Sequence, residues 1–581
     1  MSSGRAASWA GRVAFGIVLA VVMTWPMAAK FDRAARLNFG DGEWSVWNVT
    51  WVAHALTTSP ASLYQANIFH PARDTLAYSE ANVVTGALGV PFHLLSGGNP
   101  YATHNGAIMT GLVLSFTFAW SFARHLGAGN PASCFFAIAF TYCPYLFART
   151  AHIQLMMTFG LPLSLWMFHR TVDAPSVRRG VALGAALAAQ ALSCAYFGIF
   201  AGLTVGLGTL YYAVTRRLYA SRAYWLAIAA GAATSVGVVA PFFLPYLRVQ
   251  REFGFGRSLE ESMMYSADWQ AWLASSAWAH RWMLPWLERW SEVLFPGFLL
   301  TALALAGLVV GLGGRHGVGR DGSPSRPSRE GEPLGSGDET AEADGSESRP
   351  YRETTVFYAL VGGIAFWASF GPAAHLYTLL YHAIPVFSFL RAPGRFGILV
   401  VLAMGVLALV ALDALARRMR TRRAATAVGV AAAVLVCAES FTAPINLQDA
   451  AAPPPTHVLL GTLPPGPVIE MPFWYERTDF PRHSRYMLWS SYHWNPLVNG
   501  YSDHIPQWFR DAVIPLSSFP TRQSFELLRP RGVRYAIFHT YWYAGRSKAR
   551  LQEQLATYAE YLRPIHVEGD VWLYEIVDYP R

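Results

Sequence analysis

The sequence predicts an all-α polytopic membrane protein that carries a smaller α/β domain outside the membrane. Of the 581 residues, 53% are hydrophobic and only 14% are charged, whereas soluble domains average about 25% charged residues. Charge-free apolar runs long enough to cross a bilayer recur over residues 1–443. Over residues 444–581 the chain is more polar, with short strand-like apolar runs. We therefore divide it into a transmembrane domain, 1–443, and an extracytoplasmic domain, 444–581.

The net charge of +9 does not indicate a nucleic-acid partner. Only two residues are lysines, Lys30 and Lys548, and the arginines are scattered or cluster at the ends of apolar runs. That distribution is typical of membrane topology, in which cytoplasmic loops hold the excess of basic residues. All four cysteines lie in apolar runs, so the sequence indicates neither a disulfide framework nor a thiolate metal site.

About eleven spans are predicted, with the amino end in the cytoplasm and the carboxyl end outside. The first, 13–29, is favoured as a retained span over a cleaved signal peptide, because its apolar run is long for such a peptide. The run 180–215 is too long for one crossing and predicts two spans with a turn near 193–196. The remaining predicted spans are 105–123, 126–148, 153–168, 223–247, 293–314, 354–370, 396–412 and 424–442.

Some polar residues between the spans need a separate explanation. Residues 315–352 hold almost no large apolar side chain and are predicted to form a disordered cytoplasmic linker. The external loop 248–291 carries six tryptophans, which is typical of a segment at the membrane surface. Pro241 and Pro245, just before it, are expected to bend or end a helix. Several arginines break the positive-inside rule by lying outside: Arg149, Arg248, Arg251, Arg257, Arg391 and Arg395.

The extracytoplasmic domain is predicted to have a small α/β fold. Residues 468–473 and 533–538 have the composition of buried strands, 547–561 has a helical period, and 564–577 predicts a hairpin. The segment 489–506 is dense in aromatic and hydrogen-bonding side chains. Such a segment suits contact with a sugar, but a packed loop docked on the helical bundle is the favoured interpretation.

The first external loop, 31–104, carries the carboxylates of a catalytic hypothesis. Asp41 lies between two glycines just beyond the first span, which makes it exposed and flexible. Transfer of a sugar from a phosphate-linked donor needs a base for the acceptor proton, and partial desolvation would raise the basicity of Asp41. Glu43 and Glu80 are second carboxylates, able to orient an acceptor or to hold a divalent cation such as Mg or Mn.

Structural roles compete with these chemical ones. Asp41 and Glu43 also suit the N-terminus of a helix that begins at this point, and Glu80 suits the start of a helix over 81–95. Capping and catalysis are compatible at Asp41, and there we favour catalysis. For Glu80 both interpretations stay open.

Other polar residues fall at the same predicted depth on the outer side. Arg391 and Arg395 precede a descending helix, where a guanidinium is able to bind phosphate bidentately; snorkelling to lipid headgroups is the alternative. His152 and Gln154 lie in the turn between the third and fourth spans, and Tyr196 lies between the fifth and sixth. His152 is favoured as a structural hydrogen-bonding residue over a catalyst.

Taken together, these features resemble the GT-C superfamily of membrane glycosyltransferases, which use polyprenyl-phosphate sugars and include the protein O-mannosyltransferases. The likeness to its bacterial YfhO-like branch rests on three motifs: Asp41-Gly42-Glu43, Tyr78-Ser79-Glu80 and Arg391-Ala392-Pro393-Gly394-Arg395-Phe396. The resemblance implies that the acidic residue of the first loop, here Asp41, is a base or metal ligand. It also implies a lipid-phosphate donor and an inverting single displacement. Some branches of the superfamily have two aspartates where this sequence has Asp41-Gly42-Glu43, so the resemblance does not by itself imply metal dependence.

The sequence therefore predicts a glycosyltransferase in a bacterial-type inner membrane, acting on an extracytoplasmic glycan, lipid or protein. Asp41 would take the acceptor proton, with Glu80 or Glu43 assisting, and Arg391 and Arg395 would hold the donor phosphate. The runner-up is a lipid-linked saccharide transporter or flippase, which needs polar residues along a path through the bilayer midplane. A third candidate, an envelope glycan assembly protein, predicts that the Asp41→Asn change is harmless.

Overall fold

The computed structural model describes residues 3–254, 256–288, 292–313 and 340–580. Residues 315–339 of the predicted linker 315–352 lie outside the described residues. From Thr340 onward the backbone is helical. Trp290 of the tryptophan-rich loop also lies outside them.

Most of the chain up to Glu439 is helical, as the apolar runs predict. The helices are α1 (Ser3–Met23), α2 (Asp41–Thr58), α3 (Val83–Leu95), α4 (Pro100–His125), α5 (Asn130–Thr141), α6 (Pro144–Phe147), α7 (Ile153–Met156), α8 (Gly160–Asp173), α9 (Val177–Ser193), α10 (Ala195–Thr215), α11 (Arg222–Phe253), α12 (Leu259–Met264), α13 (Phe298–Gly313), α14 (Thr340–Ser369), α15 (Leu376–Ala383), α16 (Gly397–Arg418) and α17 (Arg422–Glu439).

Four of the described helical segments are long and apolar enough to cross a membrane: Pro100–His125, Ala195–Thr215, Arg222–Phe253 and Pro393–Arg418. Shorter apolar helices accompany them. Together they indicate a multi-pass membrane protein, while the count of eleven spans stays a prediction.

Two boundaries differ in instructive ways. The predicted span 126–148 is divided between α5 and α6, and Pro144, which has no N–H to continue a helix, opens the second piece. Pro241 and Pro245 do not end α11, which continues to Phe253 and closes at Gly254 with φ of 65°. By contrast, the turn predicted near 193–196 is confirmed, because α9 ends at Ser193 and α10 begins at Ala195.

The tryptophan-rich loop is less helical than a surface helix would be. It contains the short helix α12 and a 3₁₀ segment, Trp278–Trp286. Trp269, Trp282 and Trp286 expose 63%, 62% and 80% of their surface. Indole rings left outside a protein core suit the headgroup layer of a membrane.

The domain over residues 444–581, called the outer domain after its predicted location, contains a four-stranded sheet covered by short helices. Its elements, with the strand pair that precedes them, are β1 (Ala34–Ala35), β2 (Gln448–Asp449), α18 (Pro455–Leu460), β3 (Val468–Met471), α19 (His483–Ser490), α20 (Gln507–Ser517), α21 (Arg522–Leu528), β4 (Tyr535–His539), α22 (Arg546–Thr557), β5 (Leu562–His566) and β6 (Val571–Ile576). The strand order is β3-β4-β6-β5, with β3 and β4 parallel and the other pairs antiparallel. The predicted strands, helix and hairpin are thus confirmed.

The first external loop packs into the outer domain rather than lying over the bundle alone. Trp47, Trp51 and Phe69 belong to the same hydrophobic core as Tyr486 and Leu497. Backbone hydrogen bonds reinforce this packing: the His70 N–H donates to the Leu497 carbonyl at 2.7 Å. Strand β1 of the loop also pairs antiparallel with β2. The loop and the outer domain therefore form one packed unit above the membrane helices.

Candidate active site

Asp41 is placed by the close approach of two chain segments. It is the first residue of α2, and Gly40 before it has φ of 91°, which favours glycine. A Cβ atom on Gly40 would lie 3.1 Å from the Tyr501 hydroxyl, and one on Gly42 would lie 2.1 Å from the Arg36 carbonyl oxygen. The flanking glycines are therefore needed for this packing, and the flexibility predicted for Asp41 is not observed.

Asp41 bonds to the helical bundle through His152. The His152 Nε2 lies 3.1 Å from Asp41 Oδ2, and the two side chains remain 34% and 52% exposed. The pKa of Asp41 is lowered, chiefly by this hydrogen bond; burial opposes the lowering, and the charges of Arg391 and Arg395 add to it. Burial does act to raise the pKa, as expected, but the hydrogen bond and the positive charges outweigh it, so the net gain in basicity predicted for Asp41 is not found.

Arg391 is held in an ion-pair network that links the bundle to the outer domain. Its Nη2 lies 3.1 Å from Asp503 Oδ1, and its Nη1 lies 3.3 Å from Glu261 Oε1. The backbone N–H of Arg391 donates to the Tyr196 hydroxyl at 2.8 Å. Asp503 also accepts a hydrogen bond from Ser79 at 2.8 Å. The charge of Arg391 is thus largely compensated by protein carboxylates.

Arg395 is in a different electrostatic situation. Its guanidinium carbon lies 4.0 Å from the centre of the Tyr196 ring, a cation–π arrangement. Within the described residues it forms no ion pair. Other outside arginines do have carboxylate partners, since Arg149 pairs with Glu292 and Arg248 pairs with Asp74. The charges of Arg395 and Arg391 both lower the pKa of the Asp41 carboxyl, so the three groups belong to one electrostatic site; we call the surroundings of these three residues the cleft.

Glu80 lies beside the N-terminus of α10. Its carboxylate accepts the N–H of Ala195, the first residue of that helix. Burial raises the pKa of Glu80 to about 7, although this hydrogen bond and the charge of Arg395 oppose the rise. The helix predicted over 81–95 is confirmed as α3, which begins two residues later, at Val83. Glu80 instead anchors α10 at the edge of the cleft.

Glu43 does not face the cleft, contrary to the prediction that it binds substrate or metal. It is fully buried, and its Oε2 accepts a hydrogen bond from the Ser484 hydroxyl at 2.7 Å. Its Oε1 accepts one from Arg485 Nε at 2.5 Å. Both oxygens are thus used by α19, so Glu43 joins α2 to the outer domain.

Gln154 is likewise placed away from the reacting groups. It is buried in α7, and its Oε1 has no hydrogen-bond partner within the described residues. No contact in that part of the chain brings it to Asp41 or Arg395. The structure therefore gathers Asp41, Glu80, His152, Tyr196, Arg391 and Arg395, and leaves Glu43 and Gln154 outside the group.

The sequence did not single out two carboxylates of this site, Asp503 and Glu261. Asp503 lies in the aromatic-rich segment 489–506, which is a packed loop docked on the first loop. The N–H of His504 donates to the Tyr78 carbonyl at 3.0 Å, and the Trp494 ring stacks on His54 at 4.4 Å. The segment is thus a packed loop, as favoured, but these contacts dock it on the first external loop, while Asp503 reaches Arg391 of the bundle. Its polar composition was the only signal available, since no local spacing relates Asp503 to Arg391.

Within the described part of the chain, no group of three metal-binding side chains converges at the cleft to hold the predicted divalent cation. Asp41 is bonded to His152 and Glu80 to Ala195. The group of metal-binding side chains that does converge lies in the outer domain, at His457, Glu470 and His493.

No protein-family model matches the chain, and no curated protein matches it. Among solved structures it is similar to the oligosaccharyltransferase AglB from Archaeoglobus fulgidus, in complex with an inhibitory peptide and a dolichol-phosphate. That match has 10% identity and a TM-score of 0.48, and covers 100% of this chain and 75% of AglB. It is also similar to ArnT from Cupriavidus metallidurans bound to undecaprenyl phosphate, with 14% identity, a TM-score of 0.47 and 100% coverage of both chains.

Both matches have identities below 25% and TM-scores below 0.5, so membership of the superfamily and of its YfhO-like branch stays a prediction. At such identities and TM-scores they assign no role to any residue. The geometry of the cleft stands on the contacts described above.

Proposed function

We propose that this chain is a membrane glycosyltransferase that moves a sugar from a polyprenyl-phosphate donor to an extracytoplasmic hydroxyl. One observation carries the proposal: Asp41 is a half-exposed carboxylate whose pKa is lowered by the charge of Arg395, a guanidinium that forms no ion pair within the described residues. Sugar transfer from a phosphate needs these two groups, a base for the incoming hydroxyl and a cation for the departing phosphate.

In the proposed reaction, Asp41 accepts the proton of the acceptor hydroxyl. The acceptor oxygen then forms a bond to the anomeric carbon as the bond from that carbon to the phosphate oxygen breaks. The electron pair of that bond leaves with polyprenyl phosphate, and attack from the opposite face inverts the anomeric configuration. The bond from His152 holds the Asp41 carboxylate in one orientation, which favours a fixed approach of the acceptor.

Arg395 is proposed to bind the phosphate, and Tyr196 to hold its guanidinium plane. Arg391 is assigned a positioning role, because Asp503 and Glu261 already compensate its charge. Glu80 is proposed to keep α10, and with it Tyr196, at the cleft edge. A Mg or Mn ion would act in addition to these side chains and would replace none of them.

The cleft is proposed to open on the outer side of a bacterial-type inner membrane, with the amino end in the cytoplasm. A flippase is the competing function. It is less favoured because the charged residues of the cleft lie at helix ends and loops: Asp41 at the start of α2, Glu80 before α3 and Arg391 before α16. A transport path needs such groups at the bilayer midplane.

The test is a donor-cleavage assay on the purified full-length chain in detergent. A panel of polyprenyl-phosphate sugars is supplied with acceptor glycans, lipids and peptides, and release of free polyprenyl phosphate is measured. The expected result is release that requires one donor and one acceptor class and is lost in Arg395→Gln but not in Arg73→Gln, an exposed loop arginine. Release by no donor, together with movement of an intact donor across proteoliposomes, would replace the enzyme with the flippase.

A further inference from the structure

The outer domain contains a second polar cluster that the proposed reaction does not use. Four side chains from four separate segments meet in it: His457 of α18, Glu470 of β3, His493 after α19, and His539 at the end of β4. His457, Glu470 and His539 have no exposed surface. Three imidazoles around one carboxylate are an unusual content for the core of a small domain.

The side chains are close enough to share one ligand. His457 Nε2 lies 3.2 Å from Glu470 Oε2, and His539 Nε2 lies 2.7 Å from the same oxygen. The potential ligand atoms of His457, Glu470 and His493 all lie within 4.8 Å of one another. Ligand atoms around one tetrahedral zinc ion lie about 3.3 Å apart, so small side-chain rotations bring these three onto a single ion.

Two atoms of the cluster are buried without a hydrogen bond. Within the described residues, Glu470 Oε1 and His493 Nε2 have no partner. Buried polar atoms are almost always partnered, and an unpaired one needs an explanation. The Glu470 carboxylate lies among imidazoles that pack against the rings of Trp489 and Tyr486, and within the described residues no lysine or arginine pairs with it. A cation bound between the two unpartnered atoms would satisfy both and neutralise the carboxylate.

We propose that this cluster binds a divalent transition-metal ion of the Zn²⁺ class, through Glu470 Oε1 and the Nε2 atoms of His457 and His493. Imidazole and carboxylate are ligands that zinc prefers. His539 donates to the other oxygen of Glu470, which is the orienting contact that metal-bound carboxylates usually receive. The oxygen-only preference of Mg²⁺ makes it a poor occupant.

Binding through His493 Nε2 requires one local change. At present His493 Nδ1 accepts the N–H of Asn495 at 3.0 Å, which places the ring proton on Nε2. Coordination moves that proton to Nδ1, so the contact with Asn495 opens. The change is confined to a loop between α19 and α20.

The site is closed, and the proposed role of the ion is structural. It would join α18, two neighbouring strands and the loop after α19, and no substrate reaches a cluster with three fully buried members. A metal bound only by the folded domain stabilises that fold. This inference is independent of the cleft and of the proposed reaction.

The first test uses the full-length chain, purified in detergent without chelator. Metal analysis is expected to give about one zinc per chain. Removal of the metal by a chelator is expected to lower the Tm, and Zn²⁺ but not Mg²⁺ is expected to restore it. Co²⁺ added to the metal-free protein should give the visible absorption of a protein-bound cobalt ion. Absence of zinc uptake with an unchanged Tm would overturn the proposal.

The second test uses variants of similar size. Glu470→Gln and His493→Gln should lose the zinc, while His566→Gln, a histidine of the same domain outside the cluster, should keep it. Zinc content equal in all three would also overturn the proposal. Because the chelation experiment is done on the unmodified chain, the result does not depend on whether a variant folds.

Discussion

The two faces of the first turn of α2 use their carboxylates differently. Asp41 remains 52% exposed, and among the described residues of the bundle its one side-chain hydrogen-bond partner is His152. Glu43, two residues later, has no exposed surface, and Ser484 and Arg485 of the outer domain occupy both of its oxygens. The comparison teaches that partners and access to solvent, more than residue type, decide which carboxylate is free to react. Four experiments test that contrast, in order of expected effect.

The largest effect is expected from Asp41→Asn. An amide cannot accept the acceptor proton, so kcat for sugar transfer should fall by about 10³-fold, within the range for loss of a general base. The Tm should change little because Asp41 is exposed. The measurement is release of polyprenyl phosphate with the donor identified above. Asp32→Asn, an exposed aspartate of the same loop, is the control, and equal activity in both variants would remove Asp41 from the reaction.

Glu43→Gln should have the opposite profile. It leaves the Arg485 guanidinium without its anion at a buried interface, and breaking such a pair costs about 3–5 kcal/mol. A clear drop in Tm is expected, with kcat per folded molecule nearly unchanged. Glu43→Gln combined with Arg485→Met removes both charges and should recover part of the lost stability. If Glu43→Gln instead lowered kcat at an unchanged Tm, the distinction between the two faces would fail.

Arg395→Lys should weaken donor binding. Lysine keeps the charge but loses the planar fork that matches a phosphate, and one charge-assisted hydrogen bond contributes about 1.5–3 kcal/mol. The KM for the donor should rise by about 10-fold or more. Arg391→Lys is the matched comparison; because Asp503 and Glu261 compensate Arg391, its main effect should be on Tm. A larger KM change for Arg391→Lys would reverse the assignment of the two arginines.

Glu80 gives the smallest expected effect, as a pH dependence of stability. Its folded-state pKa of about 7 is raised above the ordinary value of 4.5, so the folded chain binds its proton more tightly than the unfolded chain does. Its contribution to stability is therefore present at low pH and is lost as the pH rises from about 4.5 to about 7, by on the order of 1–2 kcal/mol after solvent screening.

The measurement for Glu80 is the Tm over that pH range. The unmodified chain should lose stability towards neutral pH more steeply than Glu80→Gln. Glu568→Gln, at the exposed turn of the β5–β6 hairpin, should behave like the unmodified chain. Parallel curves for all three proteins would show that Glu80 does not titrate in this range.

Local patterns predicted local structure well. The charge-free run ending at Thr215 was too long for one helix, and its turn falls at Cys194 as expected. Short apolar runs predicted the strands β3 and β4, because the preference for a buried strand depends on neighbouring residues in the sequence. The early Asp41 and the late Arg395 were also predicted to share a site, on the grounds of membrane depth.

What the sequence could not supply were contacts between distant segments. The spacing of Trp44, Trp47 and Trp51 indicates a buried helix face, but it does not reveal that the partner is the outer domain. The same limit hid the bond from Asp503 to Arg391, and it led to the wrong assignment of Glu43 to the substrate. Burial against a particular partner is a property of the folded chain.

The pairing of β1 with β2, together with the ion pair of Lys30 and Asp449 at 2.7 Å, has a consequence for biosynthesis. The segment that leads into Asp41 has no strand partner until residues 448–449 have been synthesised. Chains that end before that point would have an unpaired strand edge beside Asp41. The surroundings of Asp41 are therefore completed late in synthesis of the chain.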